Sequence, residues 1–216
     1  MKVIAVNGSP RKKWNTARML ESVLAGSKSQ GAETELVHLY DLNFKGCTSC
    51  FSCKSIGGKS YGRCAMRDDL TPVLERIAVA DALVLGSPMY FGCVSGEMRS
   101  FLERLLFQYL RYTKENRTSI SKPLRTAWVY TMNCPEAFIS RVGYDKYFKQ
   151  NEQLMRFLGS EKTETLYSCE TLQFEDYSLV DAEMFDVEAR QKRHREIFPQ
   201  DLQKAYELGV RLAKAE

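Results

Sequence analysis

The sequence predicts an α/β fold in which an open, mostly parallel sheet carries helices on both faces. Three observations predict it. Short apolar runs of strand character alternate with stretches of helical periodicity along the chain. The run Ala82-Leu83-Val84-Leu85 is continuously apolar between Asp81 and Gly86, as a strand covered on both sides requires. The length, 216 residues, suits one sizeable domain over 1–216 and is short for two.

Taken in order, Val3-Ile4-Ala5-Val6 is the first strand, and Thr16 to Gln30 the first helix, with Leu20, Val23, Leu24 and Ser27 on one face and Gly31 as its stop. Glu33 to Leu39 is a second short strand. A cysteine-rich loop over 43–67 follows. Asp68 and Asp69 are expected to open the second helix, with Pro72 in its first turn and Leu70, Val73, Leu74 and Ile77 inward. After the strand at 82–85, Ser87 to Gly92 reads as a loop, and a long helix runs from about Ser95 towards Tyr112. Its apolar residues cover about half its circumference, wide enough to suggest a subunit contact and equally compatible with cover by the chain's own C-terminal region. Thr126 to Thr131 is the next strand, Asp145 to Leu158 a helix and Thr163 to Cys169 a last strand. The segment 170–216 reads as a helical extension, with helix from Asp181 onward broken near Pro199.

Composition sets bounds on function. Hydrophobic residues make up 44% and charged residues 27%, so the chain can bury a core. A net charge of +4 favours anionic ligands such as nucleotide phosphates and falls short of a nucleic-acid footprint. No apolar run reaches the roughly 18 residues a membrane helix needs. The first residues run straight into a strand, and the seven cysteines are an odd set for a secreted disulfide framework. The expectation is a cytoplasmic protein whose thiols are reduced or bound to a group.

In open parallel sheets the ligand lies beyond the carboxyl ends of the strands, where the strand order reverses. The loops near Gly8, Ser87 and Thr131 would share that rim. The first is Asn7-Gly8-Ser9-Pro10-Arg11-Lys12-Lys13-Trp14-Asn15-Thr16. Hydroxyls, a guanidinium, free amides and the positive end of a helix dipole make it an anion socket. It matches neither the Walker A pattern nor the Gly-x-Gly-x-x-Gly fingerprint, which disfavours a nucleotide triphosphatase and a Rossmann dehydrogenase. Gly8-Ser9-Pro10-Arg11 followed by Asn15-Thr16 resembles the phosphate loop of the NAD(P)H-dependent FMN reductases, a flavodoxin-like family. Gly86-Ser87-Pro88-Met89-Tyr90-Phe91-Gly92, with the Ser95-to-Arg104 stretch behind it, looks like the same family's loop after the third strand.

The resemblance covers roughly the first 135 residues and implies a five-stranded sheet in the order 2-1-3-4-5. It implies FMN as cofactor and NADPH or NADH as co-substrate. Ser9, Arg11, Asn15 and Thr16 would hold the phosphate. Pro88, Met89, Tyr90, Phe91 and Gly92 would line the ring, and Thr131, Asn133 and Cys134 its far edge. Electrons would pass to a quinone, a flavin, a nitro or azo compound or a protein acceptor, in a homodimer or homotetramer. No dedicated catalytic side chain is expected, since the cofactor carries the chemistry. One departure stands out: relatives commonly carry glycine before the Asn-Thr pair, and here the residue is Trp14. An electron carrier with no substrate of its own is the rival reading, and a redox sensor acting through the cysteine loop is a third.

Cys47-x2-Cys50-x2-Cys53-x10-Cys64 offers four thiolates to a cubane iron–sulfur cluster. The run resembles the compact motif of the iron–sulfur flavoproteins, where the fourth cysteine usually follows more closely. Here the gap is filled by a flexible, basic insert, Ile56 to Arg63, which could still bring Cys64 round to the other three; a cysteine-lined loop that holds no metal is slightly favoured. Zinc fits less well, since its sites prefer separated cysteine pairs. Cys93-x5-Arg99 has the shape of a tyrosine-phosphatase loop, but Glu97 inside it would repel a phosphate.

Overall fold

The computed structural model describes residues 1–214. Five parallel strands form the sheet: β1 (Lys2–Asn7), β2 (Glu33–His38), β3 (Ala82–Tyr90), β5 (Arg125–Thr131) and β6 (Thr163–Ser168). Their order is β2-β1-β3-β5-β6, and a two-residue strand β4 (Cys93–Val94) returns antiparallel on the end of β3. Leaving β4 aside, this is the expected 2-1-3-4-5 order. The chain winds from β1 outward to β2, then crosses back to β3 on the other side of β1. The loops after β1 and β3 therefore diverge, and a crevice opens between them.

Strand alternation feeds two cores. Ile4, Val6, Leu83, Leu85, Trp128 and Tyr130 point to one face, under α2 (Thr71–Val79), α3 (Gly96–Tyr109) and α4 (Tyr144–Leu154). Trp128 and Tyr130 stack at 5.2 Å, and Phe148 of α4 continues the stack at 4.3 Å from Tyr130. Val3, Ala5, Ala82, Val84, Ala127 and Val129 point to the other face, covered by α1 (Asn15–Ser29) and α6 (Phe198–Ala213). A shorter, polar helix, α5 (Val187–Glu196), precedes α6. The α1–α6 seam is tight because it is lined by glycine: a Cβ on Gly26 would fall 1.9 Å from the Tyr206 carbonyl oxygen. None of the described helices is long and apolar enough to cross a membrane.

Several element ends differ from the expectation, each for a local reason. The third strand does not stop at Leu85 but runs to Tyr90, so Pro88, Met89 and Tyr90 lie in a strand and not in a loop. Pairing with β5 continues to Pro88 opposite Thr131, and β4 pairs Met89 with Val94 and Tyr90 with Cys93. Phe91 (φ 50°) and Gly92 (φ 84°) form the two-residue turn, both left-handed, which suits the twist of a hairpin. α2 opens at Thr71 rather than at Asp68, whose carboxylate is committed to Arg104. α3 ends at Tyr109, short of Tyr112, because Lys54 binds the carbonyls of Phe107, Gln108 and Leu110 and the chain turns away. The helix expected to reach Leu158 is α-helical to Leu154 and closes with a 3₁₀ turn over Met155–Leu158.

Candidate functional site

The loop after β1 is fastened from three sides. The Gly8 amide donates to the Gly86 carbonyl at 2.8 Å, tying it to β3. Ser95 caps α3 by accepting from the Met98 amide at 3.3 Å, and its hydroxyl donates to the Gly8 carbonyl at 2.6 Å. The Ser95 amide donates to Ser87 Oγ at 3.0 Å. One serine thus welds the first loop to the end of β3. Gly8 leaves no room for a side chain, since a Cβ there would lie 2.8 Å from that of Met98. Thr16, in the first turn of α1, shares a 2.7 Å hydrogen bond with Thr131 at the end of β5. Ends of β1, β3 and β5 and the start of α1 therefore meet at one rim.

The four residues expected at the phosphate take different positions. Ser9 and Thr16 are buried inside the loop, Ser9 accepting from the Arg11 amide at 3.2 Å. Arg11 and Asn15 turn towards the segment after β6. Asn15 donates from Nδ2 to the Leu172 carbonyl at 2.7 Å, and Arg11 donates to the Gln173 carbonyl. Trp14 explains itself here: its indole N–H donates to the same Leu172 carbonyl at 2.9 Å, and the Arg11 guanidinium lies over its ring. The segment is held in turn by Thr171, whose amide donates to the Met132 carbonyl at 3.1 Å. No side chain caps the first turn of α1 and no acidic residue lies in it, so its amides and the dipole remain available to an anion.

The residues expected to line the ring form the hairpin. Pro88 is buried and Met89 nearly so, whereas Tyr90 is half-exposed at 41% and Phe91 projects fully into solvent. Thr131 is buried at its Thr16 contact. Asn133 is half-buried and its carbonyl accepts from Arg190 at 3.2 Å. Cys134 is half-buried beside Tyr144, its thiol pushed up by burial and by Glu170. Two residues at this rim carried no sequence signal. Tyr144 opens α4 beside Gly92, Cys93 and Cys134, and Tyr40, after β2, lies near Glu97 and Tyr90. Burial raises both phenols, then Glu97 for Tyr40 and Cys134 for Tyr144, so both hydroxyls stay protonated as donors. Cys93 is exposed on β4, and Ser95 fills the capping position behind it, which leaves no phosphatase pocket there.

The cysteine loop closes on itself. The Gly62 amide donates to the Cys53 carbonyl at 3.0 Å, so the long insert loops out sideways and returns Cys64 beside Cys53. Cys47, Cys50, Cys53 and Cys64 all line one open pocket, against Glu103, Arg104, Phe107 and Gln108 of α3. Burial pushes the Cys53 thiol up, as do the sulfurs of Cys64, Cys47 and Cys50, with Lys54 opposing. Hydrogen bonds from Ser52 pull the exposed Cys50 thiol down. Ser49 and Phe51 hold φ of 54° and 56° without being glycine, a strained backbone of the kind that clusters at functional turns. Among the described residues no three His, Cys, Asp or Glu side chains close around a single ion.

Residues 1–134 match the family of NADPH-dependent FMN reductases. The chain belongs to that family. Among curated relatives, an iron–sulfur flavoprotein of Archaeoglobus fulgidus is 40% identical over 104 residues, 48% of each chain. One from Methanocaldococcus jannaschii is 36% identical over 104 residues, 48% of this chain and 51% of the relative. The match thus spans about half the length of these relatives. Among solved structures, an NAD(P)H:quinone oxidoreductase from Methanothermobacter marburgensis superposes with a TM-score of 0.72 at 18% identity, covering 100% of this chain and 98% of the other. An FMN-dependent NADH-azoreductase from Bacillus anthracis, in complex with FMN, gives 0.65 at 13% identity over 99% and 100%. At these identities the structural neighbours establish the flavodoxin-like fold.

Proposed function

We propose that this member of the FMN reductase family binds FMN at the β1–β3–β5 rim and acts as an oxidoreductase. NADPH or NADH is the electron donor, and a quinone, a flavin, a nitro or azo compound or a protein is the acceptor. One observation carries the reading: the Thr16–Thr131 bond and the Ser95 weld bring an uncapped helix N-terminus and an aromatic hairpin to one edge of the sheet. FMN supplies hydride acceptance and electron delivery when bound. The chain supplies position. The first-turn amides of α1, with Ser9 and Thr16, would hold the phosphate, and Arg11 and Asn15 would form its outer wall beside the 172–173 segment. The main chain from Pro88 to Gly92 would border the ring, with Thr131, Asn133 and Cys134 at its far edge. Tyr40 and Tyr144, kept protonated, offer hydrogen bonds at the same rim. The net charge of +4 draws in the nicotinamide phosphates.

Steady-state oxidation of NADPH and NADH with a quinone, an azo dye and ferricyanide tests this. FMN-dependent turnover with at least one acceptor is expected. Bound FMN with no turnover by any acceptor would leave a carrier instead of an enzyme.

The cysteine pocket supports a second cofactor. Four thiols around one pocket fit a [4Fe–4S] cluster better than the insert length alone suggests. Cys47, Cys50, Cys53 and Cys64 would be its ligands, and it would supply one-electron chemistry. Leu106 and Phe107 of α3 and Leu110 just past its end, with Leu154 and Phe157, line an open apolar groove. That groove supports self-association as a dimer or tetramer.

A further inference from the structure

The buried face of α3 carries one charge. The Arg104 side chain is wholly excluded from solvent, on a helix whose neighbouring inward residues are Phe101, Leu105 and Gln108. All three nitrogens of its guanidinium are engaged. Nε–H donates to Cys64 Sγ at 3.0 Å, and Nη1 donates to the Lys45 carbonyl at 2.9 Å and to Asp68 Oδ2 at 2.8 Å. Nη2 donates to Asp68 Oδ1 at 3.1 Å, which completes a two-pronged ion pair. Lys45 and Asp68 are the two ends of the cysteine loop, so one guanidinium closes its base while touching its fourth sulfur.

Burying a guanidinium is costly before pairing, and an apolar side chain in its place is often as good for stability. Closing the loop alone does not account for a donor aimed at sulfur. We propose that Arg104 is a positioning residue for an iron–sulfur cluster in this pocket: it orients Cys64 and raises the reduction potential of the site. This rests on the reading of the four cysteines as cluster ligands. Hydrogen bonds to ligand sulfurs and local charge are the levers by which a protein sets such potentials. An added electron brings negative charge into the pocket, and a buried cation at hydrogen-bond distance from a ligand sulfur favours it. Asp68 works in the opposite sense, since its carboxylate offsets part of that cation.

The pair therefore predicts shifts of opposite sign. The full-length protein, purified without oxygen, would be compared with Arg104→Gln, Arg104→Lys and Asp68→Asn. Iron and sulfide content and the midpoint potential, from a titration followed by electron paramagnetic resonance, are the readouts, with FMN content as the folding control. Arg104→Gln is expected to shift the midpoint negative or lose iron while keeping FMN. Arg104→Lys, which keeps the charge without the fork, should shift it less. Asp68→Asn should shift it positive, which a merely structural role would not produce. Should Arg104→Gln fail to fold, the lysine and asparagine variants carry the test. An iron-loaded wild type whose variants keep its midpoint and iron content, or shift together in one direction, overturns the role of Arg104 and leaves the cluster standing. A wild type without iron and sulfide overturns the cluster and this inference together.

Discussion

Trp14 and Phe91 are the two aromatic residues that a stability argument alone does not place. Trp14 stands at the mouth of the phosphate loop, where its indole N–H holds the Leu172 carbonyl. Phe91 occupies a left-handed conformation at the hairpin tip with its ring in solvent, so it adds no core packing. A non-glycine residue held this way costs about 1–2 kcal/mol. Glycine at the same position relieves that strain and loses about 0.5–1 kcal/mol in chain entropy. Phe91→Gly should therefore leave Tm unchanged or slightly raised while lowering turnover with aromatic acceptors. A marked fall in Tm, or full activity, would contradict its place at the ring. At this scale the sequence was partly readable. Gly8, Ser9, Thr16 and Phe91 declared themselves by motif, and Arg104 could have been found as a charge inside the apolar stripe of α3. The contacts of Trp14 and Tyr40 could not, because their partners lie far along the chain, and Tyr144 falls in no motif.

Two features belong to the elements. The α1–α6 seam brings backbone against backbone at Gly209, where a Cβ would fall 1.8 Å from the Val23 carbonyl oxygen. Gly209→Ala must push the helices apart, a loss of about 1–3 kcal/mol, and Tm should fall by roughly 2–4 °C per kcal/mol. An unchanged Tm would contradict the close approach of the two helices at Gly209. At the α5–α6 junction His194 stacks on Phe198 at 5.1 Å, and its Nδ1 is buried without a partner. Burial, then Arg18 and Arg193, lowers its pKa. The unfolded chain, with a histidine near 6.5, takes up a proton that the folded chain resists, so stability drops as pH falls from about 6.5 towards the folded value. His194→Phe keeps the stack and should flatten the fall of Tm below about pH 6.5. Parallel curves for the two proteins would count against it. The parallel strands were legible because each is a short apolar run with its own boundaries. The end of β3 was not: Phe91-Gly92 is an unusual pair for a tight hairpin, and only pairing with β4 and β5 extends that strand to Tyr90.

At the scale of the whole molecule, the two proposed sites lie on the sheet's carboxyl rim and beside α3. Around the first site converge β1, β3, β5 and the segment after β6; around the second, the cysteine loop and Arg104. The strand order follows from the alternation of elements and from family membership, whereas the crossing of the 172–173 segment over the phosphate loop depends on tertiary contacts alone. Binding at the rim is the central claim, and the phosphate is what makes it specific. A hydrogen bond to a charged group is worth about 1.5–3 kcal/mol, so FMN should bind at least about tenfold more tightly than riboflavin, which has the same ring without the phosphate. Fluorescence-quenching titrations of the flavin-free protein with each of them measure this directly. Tighter binding of FMN, with the gap narrowing as salt is added, is the predicted result. Equal affinity for the two, or no binding of either, would contradict it.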